Sequence, residues 1–280
     1  MSTIPGNPVT VENYLSQSLV LGEPDISGPM AVYPVFGAPP SLGYISMARA
    51  HGQGFTVKEM PGGASVRDLI VSNPGPEPVL LFEGEEVLGA QQNRTFDSSI
   101  LVPAGAEQRV PVSCVEHGRW DGSRHGEEFR PARHSSHPDL RREKASQAAR
   151  AREAGMEARA DQGRVWNEVN RYHAAYRVKS STMNLNELFD REGENFEDYI
   201  KDFKPDEKAN GLAVFSDDRL VNIDVFNRTD IYREYFPKIL RSSAIEIFRL
   251  DDSARGLAEA DAISRTVSLF GELAKAPFSE

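Results

Sequence analysis

One cysteine in 280 residues leaves no partner for an intramolecular disulfide, so the fold is not a secreted disulfide scaffold. No run approaches the ~18 consecutive apolar residues that a membrane-spanning helix needs. The N-terminus, MSTIPGNPVTVENYL, has neither a basic n-region nor an apolar h-region and does not read as a signal peptide. Positive charge is in deficit: 32 Lys and Arg against 42 Asp and Glu give a net charge of −10. That is the wrong balance for neutralising a nucleic-acid backbone. Repeats, low-complexity tracts, a Walker loop, a dinucleotide glycine fingerprint and a nucleophile elbow are all missing. These absences predict a cytoplasmic protein with no nucleic-acid or membrane partner and no cofactor motif.

The pattern that is present is β-rich at first. Residues 1–28 read as a frayed end followed by a strand. Residues 30–36 read as a strand, and Pro34 predicts that it lies at a sheet edge. Residues 42–51 suit a short helix. Residues 55–59 alternate apolar and polar, and 66–72 form a second strand after the Pro61-Gly62-Gly63 turn. Residues 79–82, 95–102 and 108–115 follow as strands. Short strands with turn signals every ~8–12 residues predict a sandwich or barrel.

Residues 117–136 are polar and read as a long loop. Residues 139–178 read as helical throughout, with an apolar stripe of Val165, Trp166, Val169, Tyr172, His173 and Tyr176. A further helix covers 185–203, with Phe196, Tyr199, Ile200 and Phe203 on one face. A hairpin covers 211–226. A helix starting at Thr229 is interrupted or kinked by Pro237, helix continues over 242–250, and 254–274 gives a last amphipathic helix. The predicted class is α+β: a β-rich sandwich or barrel-like first half, a long helical connector and a smaller αβα second half. The domain expectation is 1–136 and 137–280, the two able to pack as one unit.

Chemistry concentrates in residues 79–120. Glu83-Gly84 ends an apolar strand, Gln91-Gln92-Asn93-Arg94 forms a polar knot, and Cys114-Val115-Glu116 leads to Arg119 and Trp120. Arg94 and Arg119 beside glycines suit a clamp on carboxylate or phosphate. The alternative is that each pairs Glu83, Glu85 or Glu116 and ties loops to the sheet. Glu83 and Glu116 are candidate acid–base groups. Cys114 is a third catalytic candidate, but Cys114 and Arg119 are separated by four residues, where a phosphatase loop needs five; a small buried hydrophobe is the rival reading. Gln92 and Asn93 either read a ligand or bond local backbone, and Trp120 either stacks on a base or plugs the core. His117, His125, His134 and His137 read as solvated loop histidines; without paired cysteines no metal is assigned.

Glu83-Gly84-Glu85-Glu86 with Gly89, Gln92-Asn93-Arg94, and Pro111 to Glu116 with Gly118-Arg119-Trp120 resemble the ARG-and-rhodanese-phosphatase-superfamily-associated protein domain family. So do Gly211 to Phe215, Asp224-Val225-Phe226 and Phe236 to Ser242; the resemblance spans roughly residues 40–250. The sequence departs from the family pattern at Ala90-Gln91, where glycine and lysine are expected, and at His117, where glutamine is expected. The first change removes a cation that could meet a phosphate. The family has no established activity. Its name reflects gene association with ADP-ribosylglycohydrolases and rhodanese or phosphatase domains. The resemblance therefore implies a phosphorylated, nucleotide-like, ADP-ribose-related ligand, bound or processed by Glu83, Gly84, Gln92, Asn93, Arg94, Glu116, Arg119 and Trp120. The alternative is a non-enzymatic scaffold whose partner surface is the 139–164 helix.

Overall fold

The computed structural model describes residues 19–37, 42–157, 159–217 and 219–250. The expectations for 1–18, for the 254–274 helix and for the Phe196 side chain lie outside the described residues. The strands in chain order are β1 (Val20–Leu21), β2 (Asp25–Ser27), β3 (Met30–Phe36), β4 (Ile45–Ser46), β5 (Thr56–Glu59), β6 (Asp68–Ser72), β7 (Val79–Leu81), β8 (Glu85–Leu88), β9 (Arg94–Phe96), β10 (Ile100–Val102), β11 (Glu107–Cys114), β12 (Arg130–Ser135), β13 (Gly211–Ser216) and β14 (Arg219–Val225). The helices are α1 (Met47–His51), α2 (Pro138–Glu153), α3 (Gln162–Ala175), α4 (Leu185–Ile200) and α5 (Thr229–Leu250). The fold is α+β. No helix among the described residues is long and apolar enough to cross a membrane.

The chain divides into two compact units, and neither is a contiguous half. One contains the described residues 19–37 and Phe203–Arg233; the other contains Leu42–Asp202 and Glu234–Leu250. The first unit is built on a sheet in the order β1-β3-β13-β14, with β2 also on β3. Strand β3 is therefore interior and not an edge. Pro34 is tolerated because β1 pairs only Val35 and Phe36, and β2 only Met30 to Val32, so its missing N–H falls in the gap between them. Tyr33 and Phe215 pack edge to face at 5.4 Å in this unit's core.

The second unit has a six-stranded sheet in the order β12-β8-β9-β11-β6-β5 and a smaller one, β10-β7-β4. The larger sheet curls until its edges meet: Lys58 bridges Glu128, and Phe129 N–H donates to the Val57 carbonyl at 2.9 Å. Strand alternation puts Val57, Leu69, Val71, Val87, Phe96, Val110 and Val112 on the inner face, where they form one apolar core with Phe129. This is the barrel-like half that the turn spacing implies.

Four local expectations are corrected. Residues 117–136 are not all loop, because 130–135 form β12 on β8. Residues 139–178 break into α2 and α3 around Gly155, whose φ of 68° a helix cannot hold. Residues 95–102 are not one strand, because β9 pairs β11 and β10 pairs β7 in separate sheets. Helix α5 continues past Pro237, with Tyr235, Phe236, Ile239 and Leu240 all buried on its packed face.

Candidate functional site

At one end of the curled sheet the inner face stops being apolar. Glu59 follows Val57 on β5, Arg94 precedes Phe96 on β9, and Cys114 follows Val112 on β11, directly opposite Arg94. The same alternation that builds the core therefore points a carboxyl, a guanidinium and a thiol inward. Residues 89–93 and 115–129 cover this end. Arg94 is fully buried. Its Nη1 donates to Gln92 Oε1 at 3.1 Å and lies 3.5 Å from the Asn93 carbonyl. Its closest carboxylate is Glu59, at 3.8 Å, beyond good hydrogen-bond reach. Arg94 Nε and Nη2 have no hydrogen-bond partner among the described residues. The same holds for Glu59 Oε2 and Gln91 Oε1, so donors and acceptors are left open in one buried cluster.

The electrostatics follow from burial. Desolvation pushes the Glu59 carboxyl above its ordinary range even though Arg94 pulls the other way. Desolvation also lowers the Arg94 guanidinium, with Cys114 and Glu59 opposing the shift. Burial raises the Cys114 thiol, which is the reverse of what a nucleophile needs. The result is a buried cation whose nearest carboxyl, Glu59, stands 3.8 Å away, too far for a good hydrogen bond.

Arg119 behaves differently. It pairs Glu116 at 2.6 Å, reaches Asn93 Oδ1 at 3.1 Å, and donates to the carbonyls of Gly89 and Ala90. Those bonds hold Ala90 at φ 41°. Glu116 is fully engaged, accepting also from Asn93 N–H at 3.1 Å and Thr182 Oγ1 at 3.1 Å. This Glu–Arg pair is a strut across three loops. Gly118 belongs to the same joint: a Cβ there would meet the Thr182 backbone at 2.7 Å. Asn93 is likewise held by Gly89 N–H and Asn184. Trp120 is half exposed, with its ring centroid 5.8 Å from Arg94 Cζ.

Glu83 and Gly84 do not join this group. Glu83 pairs Arg141 at 2.9 Å and lies 3.5 Å from Lys144 Nζ. Lys144, fully buried on α2, donates to Thr95 Oγ1 at 3.1 Å and to the Phe96 carbonyl. Thr95 lies between Arg94 and Phe96, so this second polar cluster sits on the opposite face of β9. Gly84 is needed there, because a Cβ would come within 2.7 Å of the Arg141 side chain, and its φ is 81°.

Of the residues singled out from sequence, Gln92, Asn93, Arg94, Cys114, Glu116, Arg119 and Trp120 converge, while Glu83 and Gly84 stand apart. Glu59 was missed. Its signal was its place two residues after Val57 in an alternating strand, which puts it inward. Gln91 enters through its backbone N–H on Glu59 (3.3 Å) and its side chain on His125 Nδ1 (3.0 Å). Two of the histidines are not solvated. His134 is buried and stacks on Phe189, and His137 is buried, stacks on Tyr172 and caps α2. The polar sequence around them hid a buried polar network. Among the described residues no cluster of His, Cys, Asp and Glu is placed to hold a metal ion.

Fold and site together define an α+β protein whose curled sheet closes over a buried, incompletely partnered arginine. The chain belongs to the ARG and Rhodanese-Phosphatase-superfamily-associated Protein domain family, whose model matches residues 18–280. No curated protein and no solved structure matches it.

Proposed function

We propose that the Arg94 end of the curled sheet binds the anionic part of a phosphorylated, nucleotide-like metabolite related to ADP-ribose. The observation that carries this reading is the pair of buried Arg94 donors, Nε and Nη2, left without hydrogen bonds beside Glu59 Oε2 and Gln91 Oε1. Leaving each buried donor unmade costs about 1–3 kcal/mol, and a phosphate oxygen would fill both with charge-assisted bonds. A hydroxyl on the same ligand suits the open acceptors of Gln91 and Glu59. Trp120 offers its exposed ring to a base. A ligand reaching Arg94 would displace Trp120, whose half-exposed ring lies 5.8 Å from the Arg94 guanidinium. The family name supports the ADP-ribose class by gene association alone.

Isothermal titration of the folded protein with ADP-ribose, ADP and AMP tests the reading. Saturable binding of at least one of them, abolished in Arg94→Met, is the expected result. Absence of heat across the whole panel would sink the proposal.

A further inference from the structure

A separate cleft of about 690 Å³ opens on the second unit between β12 and α4. That volume falls within the range of small-molecule sites. Its lining includes Arg130, Arg133, His134, Asn186, Phe189 and Arg241. None of these residues belongs to the Arg94 cluster. Glu86, which touches the cleft histidine, pairs Thr95 across β8 and β9 and so lies on the opposite face from Arg94.

The charges favour an anion. Arg130 and Arg133 are exposed and have no ion pair among the described residues. Arg241 is held by Glu197 and by the Arg133 carbonyl at 3.0 Å. Asp190, a lining carboxylate, accepts from Asn186 Nδ2 at 2.6 Å. The lining carries three guanidinium groups against the carboxylates of Asp190 and Glu197, a net positive balance on a chain of net charge −10.

The cleft also contains an oriented histidine. His134 Nε2 meets the fully buried Glu86 carboxylate at 3.2 Å, and Ser136 holds the other Glu86 oxygen at 2.8 Å. The ring stacks on Phe189 with centroids 3.6 Å apart. When Nε2 donates to Glu86, the ring's remaining lone pair is on Nδ1. That atom makes no hydrogen bond among the described residues. A carboxylate that fixes a ring tautomer in this way presents the other nitrogen as a proton acceptor.

We propose that this cleft is a second ligand site, for a hydroxyl-bearing organic phosphate of the sugar-phosphate class. Arg130 and Arg133 take the phosphate, a ligand hydroxyl donates to His134 Nδ1, and Phe189 with Pro131 forms the apolar wall. Glu86 is the positioning residue.

Nuclear magnetic resonance of the full chain tests it, with the His134 ring signals assigned by their loss in His134→Gln. In the free protein the ring nitrogen shifts should place the proton on Nε2. Ribose 5-phosphate should move the His134 Cε1–H signal saturably, and unphosphorylated ribose should not. The apparent affinity should fall about tenfold or more in Arg130→Gln/Arg133→Gln, a pair of exposed positions where folding is not at stake. The shift should persist in Arg94→Met, which separates this site from the other. A proton on Nδ1, no saturable shift at millimolar ribose 5-phosphate, equal affinity in the double arginine variant, or loss of the shift in Arg94→Met overturns the proposal.

Discussion

Arg94→Met distinguishes a binding arginine from a structural one. A guanidinium that cements the fold should be costly to remove: breaking a buried ion pair typically loses about 3–5 kcal/mol. Arg94 does not have that environment. Its one good hydrogen bond is to Gln92 Oε1 at 3.1 Å, and Glu59 stands 3.8 Å away. Losing the charge-assisted bond costs about 1.5–3 kcal/mol. Removing two buried donors that make no hydrogen bond returns about 1–3 kcal/mol each. Methionine fills similar space, adapts its shape and places no charge beside Glu59. The net change in unfolding free energy should therefore lie within about 2 kcal/mol of zero or favour the variant. Urea denaturation of the ligand-free proteins measures it from the midpoint shift at constant slope. A loss of about 3–5 kcal/mol, or failure to fold, would refute the reasoning and make Arg94 a structural residue.

Glu59→Gln should reveal the raised carboxyl. A folded-state value above the ordinary 4.5 means that Glu59 supports the fold while protonated and loses that contribution as pH rises through the raised value. The melting temperature of the variant should match that of the parent near pH 4.5 and exceed it increasingly towards neutral pH; an advantage that grows as pH falls contradicts the assignment. Lys144→Met should lose about 3–5 kcal/mol in the same urea assay, since it leaves Glu83 and Asp97 without the cation at 3.5 and 3.8 Å; a neutral result would show that the second cluster is not held by this lysine. Cys114, buried with a raised thiol, should resist iodoacetamide in the native protein and react only after denaturant is added, and rapid native labelling detected by mass spectrometry would place it at an open site. Trp120→Ala should leave stability nearly unchanged, because the ring is half exposed, and weaken ADP-ribose about tenfold or more if the base stacks there.

Hydropathy alternation was enough to find most strands, because Val57, Val71, Val110 and Val112 recur with period two and share one core. It failed at β12. There the buried positions are Ala132, His134 and Ser135, so a strand packed through polar contacts looks like a solvated loop. At α2 the helix was legible but the burial of Lys144 was not, because a lysine there reads as a solvent-facing charge. The candidate site was legible as a stretch but not as a geometry. Glu83 and Arg94 are near in sequence, yet the turn at Gly84 and the pleat of β9 send their side chains to opposite faces. Arg119 and Glu116 were readable as a pair because they lie three residues apart. Glu59 comes to Arg94 from a strand 35 residues earlier, through pairings that run from β5 through β6 and β11 to β9. No local pattern encodes that meeting.

The most direct test of the central claim is the side-chain Nε–H resonance of Arg94, observed by nitrogen-edited magnetic resonance before and after adding ADP-ribose, with Arg94→Met supplying the assignment. The account predicts that the signal moves saturably and that its exchange with water slows as a phosphate oxygen fills the open donor. A resonance unchanged at ligand concentrations that saturate binding elsewhere on the protein would contradict it.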